Sequence, residues 1–239
     1  GFTGTNTIAT ALVGTSSLLA GSLASTNNNG SSITYLTSSN NSYAGGTTIS
    51  GATLIVTNGG TLGTNTGTTT LTNHATLDLG TTTQVQRLMA MSGCLISNGN
   101  ISNTGVLFTA GTNTVSANIV GASSVVSTGG TNTLAGTNTY TGGTAITNST
   151  LIVTANSSLG ASTNTLSMNN ATLNSSGGTN TQGNITINNA TMTNGTVKAN
   201  SLNISGGTNT ITANLQNSAT GSLSITNTAG STTLLGNNT

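Results

Sequence analysis

The same short text occurs three times in this chain, and a sequence that repeats itself is constrained to fold as a stack of like units. The copies read Gly-Phe-Thr-Gly-Thr-Asn-Thr-Ile from Gly1 to Ile8, Ser-Tyr-Ala-Gly-Gly-Thr-Thr-Ile from Ser42 to Ile49, and Thr-Tyr-Thr-Gly-Gly-Thr-Ala-Ile from Thr139 to Ile146. A short apolar run follows each one: Ala11-Leu12-Val13, Leu54-Ile55-Val56 and Leu151-Ile152-Val153. A leucine closes each copy, at Leu19, Leu62 and Leu159. The third copy is introduced by Leu134-Ala135-Gly136-Thr137-Asn138-Thr139, and Leu234-Leu235-Gly236-Asn237-Asn238-Thr239 nearly respells that introduction. Repetition on this scale marks a quasi-one-dimensional protein in which each unit contacts only its neighbours.

Within and between the copies, apolar residues alternate with polar ones, as in Leu77-Asp78-Leu79, Asn184-Ile185-Thr186-Ile187 and Leu202-Asn203-Ile204. Period two is the strand signature. Clusters of Gly, Asn and Ser break the strands at short intervals and read as turns. Only Gln84 to Ala90 has helix-forming residues in sequence, and the alternation around it predicts strand there too. Short strands at such close spacing predict a parallel β-helix, with about three strands in each coil of about 20–30 residues. Leu, Ile and Val would stack inward, with Thr, Ser and Asn outward. Asn and Gly suit corners that need left-handed backbone. The expectation is one continuous β-helix over residues 1–239, with repeat signatures near 1–20, 41–63 and 134–160 and linking coils between. About ten to twelve coils at about 4.8 Å each give a rod on the order of 50–60 Å long.

Charge narrows the function. The chain has two basic residues and one acidic residue, so 1% is charged, against about 25% in ordinary domains. Disorder normally comes with high net charge and few β-branched residues; here the net charge is +1 and Thr, Ile and Val abound. Arg87 and Lys198 cannot form the basic stripe that nucleic-acid binding needs. No apolar stretch reaches the length of a membrane-spanning helix. The chain opens on Gly1, as a processed or partial chain does. A lone Cys94 makes no internal disulfide.

The pattern Leu-x-Gly-x-Asn-Thr-Tyr-Thr-Gly-Gly-Thr-x-Ile-x-x-Gly-Thr-Leu-x-Val, then small residues and Leu-Gly, is that of the passenger-associated repeat of bacterial autotransporters, which this chain resembles. Leu134 to Gly160 carries it almost throughout, and Asn41 to Gly63 through Tyr43, Gly45, Gly46, Ile49, Gly51, Leu54, Val56, Leu62 and Gly63. The copy at the start is looser, with Phe2 for Tyr and Gly4-Thr5 for the glycine pair. Residues Ala75 to Gln84 and Gly111 to Ile119 are similar to the linking coils of that family, while Arg87 to Cys94 departs from its small-residue pattern. The resemblance implies a right-handed parallel β-helix, extracellular on the bacterial cell surface, within a structural or adhesive passenger.

Candidate chemistry is sparse. His74 and Asp78 are the single His and the single Asp, too few for a Ser-His-Asp triad, and a strand does not bring positions four apart together as a helix does. Zinc needs three or four ligands. The Gly pairs at Gly45, Gly129, Gly142, Gly177 and Gly206 are each followed by Thr where a calcium roll needs Asp. No catalytic, cofactor-binding or metal residue is assigned, and no cofactor. Tyr43 and Tyr140 share one repeat position, where an aromatic packs over the apolar stack or stacks on a glycan. Thr-Asn-Thr triplets, beginning at Thr5, Thr64, Thr112, Thr131, Thr137, Thr163, Thr179, Thr208 and Thr226, raise a third possibility, a Thr-x-Thr ice-binding ladder. Their spacings of 59, 48, 19, 6, 26, 16, 29 and 18 are too irregular for one triplet per coil and favour ordinary strand and corner text. The expected function is a non-enzymatic stalk or fibre subunit; the alternative is an adhesin passenger with a surface ligand. The expected partner is the chain itself, head to tail, because an open coil edge pairs unless capped or charged. Between the ends, the charged residues run only from Asp78 to Lys198.

Overall fold

The computed structural model describes residues 4–21, 32–156, 159–218 and 222–238. Among them every regular element is a β-strand, and the strands pair in parallel. The chain winds as a β-solenoid of about ten turns.

Each coil crosses three faces. The first carries an axial ladder that begins at Gly4–Ile8 and passes through Ser32–Leu36, Thr53–Val56, Thr76–Asp78, Leu95–Ser97, Thr112–Val115, Thr131–Leu134 and Thr150–Val153. It continues through the later halves of Thr165–Asn174 and Thr179–Thr193 to Thr208–Ile211 and Ser231–Leu234. The second face runs in the same way from Leu18–Gly21 to Ser224–Asn227. The third is shorter. Thr83–Gln84, Asn100–Ile101 and Asn118–Ile119 form a separate ladder there, and residues 179–182, 196–199 and 214–217 form a later one. Gln84 to Ala90 is divided between the third and second faces, with no helix. Met89 and Met91 point inward there, so alternation outweighs helix propensity.

Register stacks like on like. One inward column on the second face reads Ala20, Ile49, Leu71, Met91, Phe108, Ser127, Ile146, Met168, Ile187 and Ile204. All ten are buried. Small Ser127 lies beside large Phe108, which keeps the column filled without overpacking. Each fully buried Leu, Ile or Met contributes about 1.5–3 kcal/mol, and nearly every coil places several inside.

The repeat text now has physical reasons. Gly63 and Gly160 lie at φ of 81° and 79°. A Cβ on either would come within 2.4 and 2.5 Å of the carbonyl oxygen of Tyr43 and Tyr140, and within 2.9 Å of each ring. The closing Leu-Gly is thus the floor on which the next coil meets the tyrosine. In the glycine pair, a Cβ on Gly142 would strike Ser123 O at 2.5 Å on one neighbouring coil, and one on Gly143 would reach Thr165 Oγ1 at 2.9 Å on the other. Ile49, Leu54, Val56 and Leu62, with their counterparts Ile146, Leu151, Val153 and Leu159, are fully buried.

The copy read at the start of the chain is a correction. Phe2 lies outside the described residues. Gly4–Ile8 pairs with Ser32–Leu36 on the first face, whereas Thr47–Ser50 and Thr144–Thr147 lie on the second. Its true counterparts are Gly-Thr-Asn-Thr followed by an apolar residue, as at Gly111 to Val115, Gly130 to Leu134 and Gly207 to Ile211. Ala11-Leu12-Val13 forms no strand, and Val13 is 66% exposed.

Two glycines of similar φ separate backbone strain from crowding. Gly93 has φ of 68° and open space where a Cβ would go. Gly93→Ala is expected to destabilise by roughly 1 kcal/mol, and Gly160→Ala by clearly more, because a steric clash adds to the strained φ. Thermal melts of both variants, with about 2–4 °C expected per kcal/mol at this size, check the difference.

Candidate functional site

The repeated tyrosines sit inside the solenoid. Tyr43 is 2% exposed and Tyr140 fully buried. Each phenol pairs with the threonine four residues on: Tyr43 OH with Thr47 Oγ1 at 2.7 Å, and Tyr140 OH with Thr144 Oγ1 at 2.6 Å. Burial pushes the Tyr43 phenol up to about 12, against the smaller opposing pull of the Thr47 hydrogen bond. Burial pushes Tyr140 further in the same direction. Side chains so enclosed offer no face to a glycan. They fill the coil where the Gly-Gly turn leaves room, and the threonines at their ends explain the Tyr-x-Gly-Gly-Thr spacing.

Two residues before each tyrosine stands an inward asparagine. Asn41 Oδ1 accepts from the Leu12 N–H at 2.9 Å, and Asn138 Oδ1 from the Ile119 N–H at 2.8 Å. Asn238 Oδ1 accepts from the Leu215 N–H at 3.0 Å, in the same position relative to its own neighbouring coil. The near-repetition at Leu234 to Thr239 therefore folds as the other introductions do.

The Thr-Asn-Thr triplets obey a related rule. At those beginning at Thr112, Thr131, Thr137, Thr163, Thr179 and Thr208, the central Asn is buried. Asn113 accepts from the Cys94 N–H at 3.0 Å and donates to Ala110 O and to Asn132 Oδ1. Asn132 donates to Ser127 Oγ and Gly129 O, and Ser127 Oγ meets Ser149 Oγ at 2.7 Å. Asn209 repeats the arrangement with the Ala190 N–H and Gly206 O. Each amide ties the turn three residues back to the coil beside it. Sequence reasoning placed these residues at corners; an Asn between two Thr in a strand was the available signal that it points inward. Asn180 fits the pattern in burial alone, since neither amide atom has a partner among the described residues.

With the Asn inside, both flanking threonines face out, and the register groups them differently from the triplet spacing. Thr112, Thr131, Thr150, Thr172, Thr191, Thr210 and Thr233 align one above another on the first face. The residues between them and the next outward position are Asn, Asn, Leu, Leu, Met, Ile and Leu, so a search for Thr-Asn-Thr could not reveal the ladder. The triplets themselves are scattered, with Thr112, Thr131 and Thr208 on the first face, Thr179 on the third and Thr226 on the second, in keeping with their irregular spacing; the ladder is a separate alignment of single threonines. Beside it, the corner residues Asn148, Asn170 and Asn189 all have positive φ, and Asn189 Nδ2 donates to Asn170 Oδ1 at 2.8 Å. Between the two rows runs an open, almost wholly polar recess of about 440 Å³.

The remaining candidates stand apart. His74 occupies an exposed corner with φ of 60°. Asp78 faces outward on the first face, where Oδ1 accepts from the Gly80 N–H and Asn98 Nδ2, both at 2.8 Å. Its carboxylate therefore fastens a turn. Cys94 is buried with its thiol against Ser92 O, and burial raises its pKa. Arg87 Nη2 donates to Thr68 Oγ1 at 2.9 Å. Lys198 lies on the third face between Thr181 and Gln216. No family model, curated protein or solved structure matches the chain.

Two outcomes follow from the tyrosines. Tyr140→Phe strands Thr144 Oγ1 in the core and is expected to cost about 1–2 kcal/mol in chemical denaturation. Stability should also depend on pH in one direction. The unfolded phenol titrates near 10 and the folded Tyr43 near 12, so its contribution is complete below about pH 10 and is lost as pH rises through 12. With one side-chain carboxylate in the chain, acid should do little, because acid unfolding works mainly through carboxylates. Melting temperatures from pH 3 to 12 check this, with a fall expected only at the alkaline end.

Proposed function

We propose that this chain is a non-enzymatic structural segment, a β-solenoid stalk or fibre element on the bacterial cell surface, akin to an autotransporter passenger. The observation that carries the reading is the use made of the repeat residues. Tyr43 and Tyr140, which meet Gly63 and Gly160 of the next coil and whose carbonyls accept there from the Thr64 and Ala161 N–H groups, and Asn41, Asn138 and Asn238 all serve coil-to-coil contact. A sequence that commits its repeated residues to axial stacking is built to extend.

End-to-end continuation belongs to the same proposal. In the last described coils the inward-column residues Ile225 and Leu234 are 47% and 42% exposed. Ile225 and Leu234, with Leu215 and Leu223, line an open recess of about 310 Å³. A further coil, from a second copy or from a longer chain, covers this surface with backbone hydrogen bonds and stacked leucines. No ion pair is available to hold such a junction, so it should be insensitive to salt.

The adhesin reading has one observation in its favour. On the second face Ala90, Leu107, Val126 and Ala145 form a half-buried apolar column facing outward, and Leu107 and Val126 line a recess of about 260 Å³ together with Arg87 and Leu88. Electron microscopy and light scattering of the purified chain separate the readings. The stalk reading expects rods or filaments whose length distribution is unchanged between low and high salt. Monodisperse monomers at high concentration, together with capture of a specific host or matrix ligand abolished by Val126→Lys, would replace it with the adhesin.

A further inference from the structure

We propose that the first face, from Thr112 to Thr233, is an ice-binding surface whose ligand is an ordered lattice of water. Three observations lead there, none of which depends on the stalk reading.

The first is regularity. No register shift interrupts the first face across these rungs. The second face has shifts at Phe108/Ala110 and at Ile187/Asn188. Rungs of a parallel ladder stand about 4.8 Å apart, and outward residues i and i+2 about 6.6 Å apart. The column beside the ladder reads Thr114, Thr133, Ile152, Asn174 and Thr193, so threonines stand two abreast on the Thr112, Thr131 and Thr191 rungs, while on the Thr150 and Thr172 rungs the ladder threonine is flanked by Ile152 and Asn174. A β-branched side chain has few χ1 choices, so stacked threonines repeat one geometry along the axis.

The second is that nothing inside the fold demands threonine there. The inward neighbour changes from Asn113 to Leu151, Met192 and Ile211 while the outward residue stays Thr. Strand propensity is satisfied equally by Val or Ile. An outward column on the second face of the same chain varies through Thr48, Thr70, Ala90, Leu107, Val126, Ala145, Ser167, Thr186 and Asn203.

The third is the character of the recess beside the ladder. It runs along the axis between Thr150, Thr172 and Thr191 on one side and the corner asparagines on the other. No charged residue faces it: Asp78 lies on an earlier rung, and Arg87 and Lys198 belong elsewhere. The aromatic residues of these coils, Phe108 and Tyr140, are buried. A neutral polysaccharide would find no ring to stack on. What remains is a regular array of neutral donors and acceptors interspersed with methyl groups, which suits water held at fixed positions and bears no ion to impose its own hydration.

The test uses the full chain. Growing a polycrystalline ice hemisphere in its solution should enrich the protein in the ice, and nanolitre osmometry should show thermal hysteresis with faceted crystals. Thr172→Tyr and Thr191→Tyr each place a large ring on the ladder and should abolish both, with circular dichroism and melting unchanged; Thr172→Leu serves if the tyrosine variants fold poorly. Thr186→Tyr, outward on the second face, should keep full activity. The proposal is overturned if the parent chain is excluded from ice, if Thr186→Tyr loses activity as the ladder variants do, or if the chain ignores ice yet is retained on a neutral polysaccharide.

Discussion

The rest of this structure depends on the hydrogen-bonded ladder that runs along the solenoid axis. A parallel strand cannot satisfy its own backbone. Each coil here exchanges N–H and C=O groups with both neighbours, as Thr131 N–H donates back to Gly111 O and Val125 N–H donates forward to Gly143 O, across faces that hold register for most of the chain. That dependence makes stability a sum over interfaces between neighbours. It also makes any imbalance within a coil the concern of the coil above or below. A large residue such as Phe108 is offset by Ser127 one coil on. A corner with too few backbone partners is served by an amide from the adjacent turn.

Those amides are the distinctive device of the molecule. Almost without charged side chains, the protein satisfies its turns with Asn and Gln directed into the core. Gln84 accepts from the Leu62 N–H and donates to Gly60 O, Asn103 accepts from the Gln86 N–H, and Asn113 with Asn132 bridges two coils. A satisfied buried amide contributes modestly, but leaving its partners unpaired costs about 1–3 kcal/mol for each group. The network therefore specifies register more strongly than it adds stability. A coil slipped by one residue would turn these amides outward and abandon the N–H and C=O groups they serve.

Much of this was legible in the sequence, for reasons that particular residues make clear. Alternation at Leu77-Asp78-Leu79 and Asn184-Ile185-Thr186-Ile187 gave the strands, and the copies at Tyr43 and Tyr140, a constant 97 residues apart, gave the stacking. The corner positions of His74 and the outward course of Asp78 followed from the same alternation. Three things were not legible. Gly4 to Ile8 spells two motifs at once, and only its pairing with Ser32–Leu36 shows which one it folds as. The inward Asn residues looked like corner residues because propensity assigns Asn to turns. The threonine ladder was hidden because coils differ in length: neighbouring rungs lie 19, 22 or 23 residues apart, so only three-dimensional register aligns them.

In-register stacking of successive coils is the central claim, and engineered cysteine pairs test it most directly. Thr150 and Thr172 face each other across one rung. Parallel neighbours about 4.8 Å apart fall within the Cα range of a disulfide, about 4.4–6.8 Å. Thr150→Cys with Thr172→Cys should therefore cross-link readily under mild oxidation. Thr150→Cys with Thr191→Cys, two rungs apart at about 9.6 Å, should not. Cross-linking of the distant pair but not the near one, or of neither in folded protein, would contradict the stacking on which every other conclusion rests.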